Sequence, residues 1–314
     1  MEEKNHNSSS EDLIDLKELT NIILGKKGLI TVLVFLFTLG SIVYSLVISE
    51  EYTATAVVSE GQYEGTGSLS NLGRSTGFGL PSISSFSFGG AQTSHEANMA
   101  LEIMKSWEFI DGFIKENELE IPLLAVKDWN ENTNQLVIDQ TKYDSTLKKI
   151  KEPKLRNSTQ FTWELFKEFE SRLQVSLNNS NQLIYVSIEF YSPIVAQEWV
   201  EKFIYAINKK MQERKLIILN RNIENLEKQL LKTREVLLKE KLFSILAIQI
   251  KEKSLAEASP EYAFVTVNKA MVPEVRSFPR RTVIVIGATF LGAFLSILWV
   301  LLNHYFILPR KNSD

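Results

Sequence analysis

Cysteine is absent from this sequence of 314 residues, and histidine occurs only three times. Without cysteine the chain cannot form disulfides, thiolate metal sites or a cysteine nucleophile, and the redox state of its compartment stays open. His6, His95 and His304 are far apart in the sequence. This scatter argues against a histidine metal site and against a Ser-His-Asp triad, so we predict no catalytic, metal-binding or cofactor-binding residues.

An excess of charge of either sign is also missing. The formal net charge is −3, and no basic stripe is interleaved with aromatic residues, as nucleic-acid binding would require. The sequence therefore gives no reason to expect nucleic acid as a partner. Because 44% of the residues are hydrophobic, the chain can bury a core, and its length alone suggests two domains.

Charged residues are missing from two long runs, 28–49 and 282–302. Crossing a bilayer takes about 20 apolar helical residues, so we predict two transmembrane helices; buried core helices are the alternative. The first run could also be a cleaved signal peptide, since Ala54-Thr55-Ala56 has the form of a cleavage site. That run is too long for a signal peptide and follows a long polar segment, which favours an uncleaved anchor.

The charges that flank the first run predict its orientation. Two lysines precede it and two glutamates follow it, which places the N-terminus in the cytoplasm under the positive-inside rule. Two spans then return the C-terminus to the cytoplasm, so we expect cytoplasmic tails over 1–27 and 303–314 and one outer domain over 50–281. The arginines just before the second run lie outside against this rule, which long translocated segments tolerate.

The outer domain alternates between strand and helix patterns. Strand patterns occur at 51–59, 181–190 and 262–270, and a helical pattern at 95–118. Because strands flank both membrane runs in sequence, we predict an α+β fold with a small, membrane-proximal mixed sheet that joins the first and last parts of the domain. A very long helix would project from this sheet.

A Gly/Ser-rich stretch over 61–94 has neither the helical nor the strand period. We expect either a mobile loop or a loop whose Phe78, Phe86 and Phe88 contact the membrane surface or a neighbouring subunit. Its glycines are not a phosphate-binding loop, because no Lys-Ser or Lys-Thr pair follows them.

Proline and glycine are missing between Pro193 and Ala258, which predicts one helix over 193–258, about 95 Å long. Ser192 as N-cap and Pro193 at the first helical position would open it. Six apolar residues fall on heptad positions and form a seam that is broken by Thr233 and needs a partner helix. That partner is either one of the protein's own shorter helices or another subunit. The seam consists of Leu216, Leu219, Ile223, Leu226, Leu230 and Leu237.

The segment "MVPEVRSFPRR" directly precedes the second run. Pro273 and Pro279 cannot continue a helix or a strand ladder, and they favour extended geometry in the residues before them. We therefore predict a stiff junction between sheet and membrane helix. Arg280 and Arg281 would meet lipid headgroups and fix where the helix begins.

The order of five segments resembles the polysaccharide co-polymerases, the chain-length determinant (Wzz-type) family. These segments are "DLIDLKEL", "YTATAVV", "ALEIMKSWEFIDGFIKEN", "SPIVAQEWVEKFIYAIN" and "AMVPEVRSFPRR". The family pattern before the second span is rich in proline, and Arg276 stands where a middle proline is expected. Some relatives carry a tyrosine kinase after the second span, whereas this sequence ends at Asp314 and resembles the kinase-free type.

This resemblance implies a non-catalytic inner-membrane protein with a large periplasmic domain that forms a ring-like homo-oligomer. Such proteins set the modal length of O-antigen of lipopolysaccharide, or of a related surface polysaccharide, together with an integral membrane polymerase. Besides the lipid bilayer, the lipid-linked growing polysaccharide is a further candidate partner. The resemblance leaves open whether the protein acts as a ruler, a scaffold or a polymer-binding surface.

Small residues recur every four positions in the second run, at Ala288, Gly292 and Ser296. Small residues allow close approach of helices in lipid. We expect this face to pack on the first span or on the polymerase, although ordinary membrane-helix composition explains the pattern equally well.

Three other functions are weighed against chain-length regulation. A glycan hydrolase would need two carboxylates at a defined separation, and the acidic residues here lie mostly in solvated helical patterns. A two-span sensor would need a cytoplasmic signalling domain, for which the tails are too short. A secretion adaptor with a periplasmic binding domain usually ends outside the membrane.

Overall fold

The computed structural model describes residues 16–61, 92–144, 149–150 and 158–303. Its described residues form two units, which we call the helical unit (Met1–Ser49 with Phe278–Asp314) and the αβ unit (Glu50–Ser277). Most of the predicted Gly/Ser-rich loop, with Phe78, Phe86 and Phe88, lies outside the described residues. So do 1–15, 304–314, His6 and His304.

Helices and strands mix along the chain, as the sequence predicted. In order they are α1 Leu16–Gly25, α2 Lys27–Val47, β1 Tyr52–Glu60, α3 Gln92–Lys105, α4 Trp107–Glu116, α5 Glu120–Ala125, β2 Val126–Asn130, β3 Gln135–Ile138, β4 Tyr143–Asp144, β5 Lys149–Ile150, α6 Ser158–Arg172, β6 Leu173–Asn178, β7 Leu183–Phe190, α7 Pro193–Lys232, α8 Val236–Ala258, β8 Phe264–Asn268 and α9 Arg281–Leu302.

The helical unit contains two helices long and apolar enough to cross a membrane, α2 and α9. These two helices span nearly the same residues as the two predicted runs, 28–49 and 282–302. Only 11% of the most apolar stretch of α2 and 17% of that of α9 is buried. A core helix of a soluble protein buries most of such a stretch, so this exposure favours membrane spans over core helices.

The central sheet of the αβ unit has four strands in the order β6-β7-β1-β8. Strand β1 pairs with β8 in register Glu60↔Phe264, so the strands nearest the two apolar helices in sequence are neighbours, as predicted. The prediction of a mixed sheet was wrong, because every neighbouring pair is antiparallel. The connection from β7 to β8 is long enough for a parallel pair, but β1 lies between these strands and runs opposite to both.

The core of the αβ unit lies between this sheet and the first half of α7. Small side chains on β1, Ala54 and Ala56, are 1% exposed and leave room for the helix. An aromatic cluster fills the space beside them, with Phe113 and Phe203 5.2 Å apart and Phe190 and Trp199 4.4 Å apart between ring centroids. Buried aromatic side chains contribute much of a core's apolar area, so this cluster fixes α7 on the sheet.

The single helix predicted over 193–258 is divided into α7 and α8. The backbone of Thr233 and Glu235 is extended, with ψ of 127° and 123°. Helix α8 then runs back along α7, because the Gln212 amide donates to Ala256 O at 2.7 Å and the Asn222 amide contacts Gln249 Oε1 at 3.4 Å.

The break in the predicted helix has a physical reason that does not involve proline or glycine. The Thr233 hydroxyl donates to Gln229 O at 2.8 Å in the last turn of α7. Folding back buries Leu219, Leu230 and Leu242, which a straight helix would leave in solvent. Helix α7 alone has 40 residues, about 60 Å. Its start is as predicted, with Pro193 first and the Ser192 hydroxyl accepting from Val195 N.

Candidate functional site

The segment before α9 contains the predicted proline and arginine residues. Pro273 is half-buried in the αβ unit, and Pro279 is buried in the helical unit. Arg280 directly precedes α9 and Arg281 is its first residue, so these arginines stand where the helix begins. Their contact with lipid headgroups remains a prediction.

Arg276, which replaces the expected middle proline, makes an ion pair with Glu50 at 2.7 Å. Next to it, Ser277 N donates to Glu51 O at 2.9 Å, and the Ser277 hydroxyl donates to Glu189 Oε1 at 2.7 Å. The residues where the chain enters the αβ unit are thus bonded to those where it leaves. Both apolar helices therefore connect in sequence to one point of this unit.

Arg172, the last residue of α6, also contacts the residues at which the chain enters the αβ unit. Its guanidinium donates to Glu51 Oε1 at 3.2 Å and to Glu168 Oε1 at 2.9 Å. It also lies over the rings of Phe190 and Tyr191, 5.4 and 5.0 Å from their centroids. The side chain is only 10% exposed. We call Glu51, Glu168, Arg172, Glu189 and Ser277 the Arg172 cluster.

The charges of the Arg172 cluster are not balanced. Burial raises the pKa of Glu51, an effect that Arg172 opposes and Glu189 increases. Burial alone would lower the pKa of Arg172, but its hydrogen bond to Tyr191 and the charges of Glu168 and Glu51 raise it. The two shifts agree with the geometry: burial disfavours the Glu51 carboxylate more than Arg172 stabilises it, while Tyr191, Glu168 and Glu51 stabilise the guanidinium.

Only part of this cluster has a signal in the sequence. The spacing of Glu168 and Arg172 on one helix predicts an i,i+4 ion pair, but nothing local indicates Glu51 or Glu189. The Arg172 cluster can hold Ser277 beside Glu51 and Glu189, and it contains no activated nucleophile. Among residues 16–61, 92–144, 149–150 and 158–303, no group of three or more His, Asp or Glu side chains could hold a metal ion.

The small-residue face of α9 lies against α2. Gly292 and Ser296 are buried and Ala288 is half-buried. A Cβ added at Gly292 would lie 2.7 Å from the Cβ of Phe37, a separation that no side chain can adopt without movement. Nearby, the hydroxyls of Thr38 and Thr289 are 3.1 Å apart. The sequence left two packing partners open for this face, and in the structure the face contacts one of them, the first apolar helix.

The apolar seam of α7 faces α8 of the same chain. Leu219 is 2% exposed and Leu230 7%, whereas the other seam residues of α7, Leu216, Ile223 and Leu226, are half-buried. Leu237 does not belong to this seam and is 54% exposed. It lies in α8, beyond the break at Thr233, so the heptad register of α7 does not extend to it.

Asn208 is a further structural residue that was not predicted from the sequence. It is 2% exposed, and its Oδ1 accepts from the backbone N–H groups of Ala263 and Phe264, both at 2.8 Å. Its Nδ2 donates to Phe264 O at 2.9 Å. One side chain therefore fixes the start of β8 to α7. The available signal was an amide among the apolar positions of the buried helix face.

Comparison with known proteins gives one family match. Residues 12–117, about a third of the 314 residues, match the family model of the chain length determinant protein, Wzz. This range includes α2, β1 and the first helices of the αβ unit. No curated protein matches the chain.

Two similar solved structures are polysaccharide co-polymerases. One is a full-length bacterial polysaccharide co-polymerase, at 14% identity and a TM-score of 0.39, covering 96% of this chain and 100% of that chain. The other is a fragment of WzzB, a polysaccharide co-polymerase from Salmonella Typhimurium, at 15% identity and a TM-score of 0.31, covering 73% of this chain and 100% of that chain. The family that the sequence resembles is therefore the same family whose model matches the N-terminal third of the chain, the chain length determinant family, Wzz.

Proposed function

We propose that this protein regulates the length of a surface polysaccharide, O-antigen of lipopolysaccharide or a related polymer, without catalysing a reaction itself. The observation that carries this proposal is the match of residues 12–117 to the Wzz family model. The described fold is consistent with such a role, since an αβ unit follows one apolar helix and precedes another in the sequence.

We further propose that α2 and α9 cross the bacterial inner membrane, with the tails in the cytoplasm and 50–281 in the periplasm. The lysines before α2 and the glutamates after it support this orientation. The bonds of Arg276 and Ser277 to Glu50 and Glu51 support a junction in which both membrane helices leave the periplasmic domain together.

The functional form in this proposal is a ring-like homo-oligomer that works with the integral membrane polymerase. Supporting it, several large apolar side chains of the hairpin of α7 and α8 are exposed to solvent. Their exposed fractions are 60% at Ile217, 89% at Leu231, 80% at Val236 and 54% at Phe243. Contact between hairpins of neighbouring copies would cover them.

The test is deletion of the gene, with the surface polysaccharide separated by size on a gel. We expect synthesis of polymer to continue while its modal length is lost, and restoration of the gene to restore the mode. A deletion strain with an unchanged length distribution, or with no polymer at all, would contradict the proposal. Light scattering of the full chain in detergent tests the oligomer separately, and a monomer would contradict that part.

A further inference from the structure

A groove between α4 and the first half of α7 is used by none of the features above. It encloses a cavity of about 440 Å³, which lies within the size range of small-ligand sites. Its floor is apolar, formed by Phe109 and Phe113, whose rings pack on Phe203 at 5.3 and 5.2 Å between centroids. Its walls are polar and come from both helices.

The walls of the groove carry equal numbers of acidic and basic side chains. Two cross-helix ion pairs are long, with Lys209 Nζ 3.4 Å from Glu116 Oε1 and Lys210 Nζ 3.5 Å from Glu108 Oε1. All four side chains are exposed by 46% or more. Their remaining lone pairs and N–H groups are therefore available to a ligand that both donates and accepts hydrogen bonds.

An aromatic ring stands beside these charges. Tyr205 lines the groove from α7 and is 64% exposed. Its ring offers an apolar face and its hydroxyl a polar end. A ring exposed by this much is suited to a ligand that also has apolar and polar faces.

Gly112 indicates that space in the groove is kept open. It lies inside α4, where glycine is less favourable than alanine, and a Cβ added there would meet nothing within 4 Å. Packing within the chain therefore gives no reason for glycine at this position. Because Gly112 lines the groove, an occupant that approaches the helix backbone closely would supply that reason.

We propose that this groove binds a short segment of an uncharged or zwitterionic glycan. Sugar hydroxyls both donate and accept hydrogen bonds, matching the mixed Glu and Lys walls, and the C–H face of a sugar ring matches Tyr205. The balance of charge disfavours a polyanion, since each added negative group would meet as many carboxylates as ammonium groups. That the glycan is the polymer whose length is regulated rests on the proposed function.

The test uses the full chain in lipid nanodiscs and delipidated oligosaccharides cut from the surface polysaccharide of the source organism, with binding measured by calorimetry. We expect Tyr205→Ala to weaken binding at least fivefold, while Tyr205→Phe, which keeps the ring, stays within twofold of the wild type. Trp163→Ala is the matched control, because Trp163 is also an aromatic residue exposed by more than half (52%) but lies on α6 outside the groove.

Gly112→Leu separates binding from folding. Leucine favours the helix over glycine and the space beside it is open, so the melting temperature should rise by about 2–4 °C. Binding should weaken at least tenfold, because the side chain fills the groove. Wild-type protein that binds no fragment at millimolar concentration, or Gly112→Leu binding that equals the wild type, would overturn the proposal. Loss of oligomer in Gly112→Leu without any fragment binding would identify a second copy of the chain as the occupant and would also overturn it.

The polysaccharide gel distinguishes failure of this inference from failure of the proposed function. If deletion of the gene removes the modal length but Gly112→Leu leaves both binding and modal length unchanged, the groove proposal alone fails. If deletion leaves the length distribution unchanged, the proposed function fails, whatever the groove binds.

Discussion

Replacing Asn208 by alanine removes the only side chain that holds the start of β8 to α7 in the described hydrogen bonds. The loss leaves the N–H and C=O of Phe264 without their amide partners. Phe264 is 0% exposed, so water cannot replace these bonds in the folded state. Ala263 is half-buried, and its N–H can still reach solvent.

The size of the effect follows from these contacts. Each buried backbone group left unpaired costs about 1–3 kcal/mol, so the two groups of Phe264 cost about 2–6 kcal/mol. Alanine is the better helix former by about 0.6 kcal/mol, which offsets a small part. We therefore expect Asn208→Ala to lower the free energy of unfolding by about 2–5 kcal/mol. With a slope of about 2 kcal/mol per molar urea, the midpoint falls by about 1–2.5 M.

The assay is urea unfolding of the full chain in detergent, followed by tryptophan fluorescence. Trp199, 3% exposed in the core, reports the αβ unit. The matched control is Asn222→Ala on the same helix, whose exposed amide makes only a 3.4 Å contact with Gln249. Its free energy of unfolding should stay within about 0.5 kcal/mol of that of the wild type. Amide exchange over 262–268 should quicken in Asn208→Ala alone. Equal midpoints for the two variants would refute this account of Asn208.

Three further predictions concern the helix pair, the hairpin and the Arg172 cluster. Gly292→Leu should lower the melting temperature in nanodiscs through a clash costing about 1–3 kcal/mol. Gly287→Leu, where a Cβ meets nothing within 4 Å, should not lower it. Equal melting temperatures for the two variants would contradict the packing of α9 on α2. Leu219→Ala should lower the free energy of unfolding in urea by about 2–5 kcal/mol, because Leu219 is 2% exposed in the seam. A change of less than about 0.5 kcal/mol would contradict the packing of the seam. For Glu51, burial raises the pKa, so the folded state holds its proton to a higher pH than the unfolded state does. The resulting stabilisation is complete at pH values below the ordinary carboxyl pKa and is lost as pH rises through the raised pKa. The melting temperature of Glu51→Gln relative to the wild type should therefore rise from pH 4 to pH 7.5, and a constant difference would contradict that shift.

Features encoded by neighbouring residues could be predicted from the sequence. The two apolar helices, the strands β1 and β7, and the start of α7 at Ser192 all follow from hydrophobic period or capping chemistry within a few residues. The contact of the small-residue face with the first apolar helix was one of the surfaces considered, since close approach depends on side-chain size alone.

Features that depend on distant residues could not be predicted in this way. Thr233 ends α7 because the chain gains burial by folding back, and no breaker residue marks the position. Arg172 and Glu51 are 121 positions apart in sequence, and only the sheet brings them together. The amide of Asn208 stands among apolar positions of its helix, but its bonding partners can be named only once β8 is placed beside it. The prediction of a mixed sheet was wrong for the same reason, since no local pattern indicates that β1 lies between β7 and β8.

The length distribution of the surface polysaccharide, with the total amount of polymer measured separately, decides whether this protein regulates chain length. Cells that lack the gene should make about as much polymer as cells that carry it, but without a modal length. Restoring the wild-type gene should return the mode. Loss of the polymer itself, or a mode that persists without the gene, would contradict the claim that this protein regulates chain length without making the polymer.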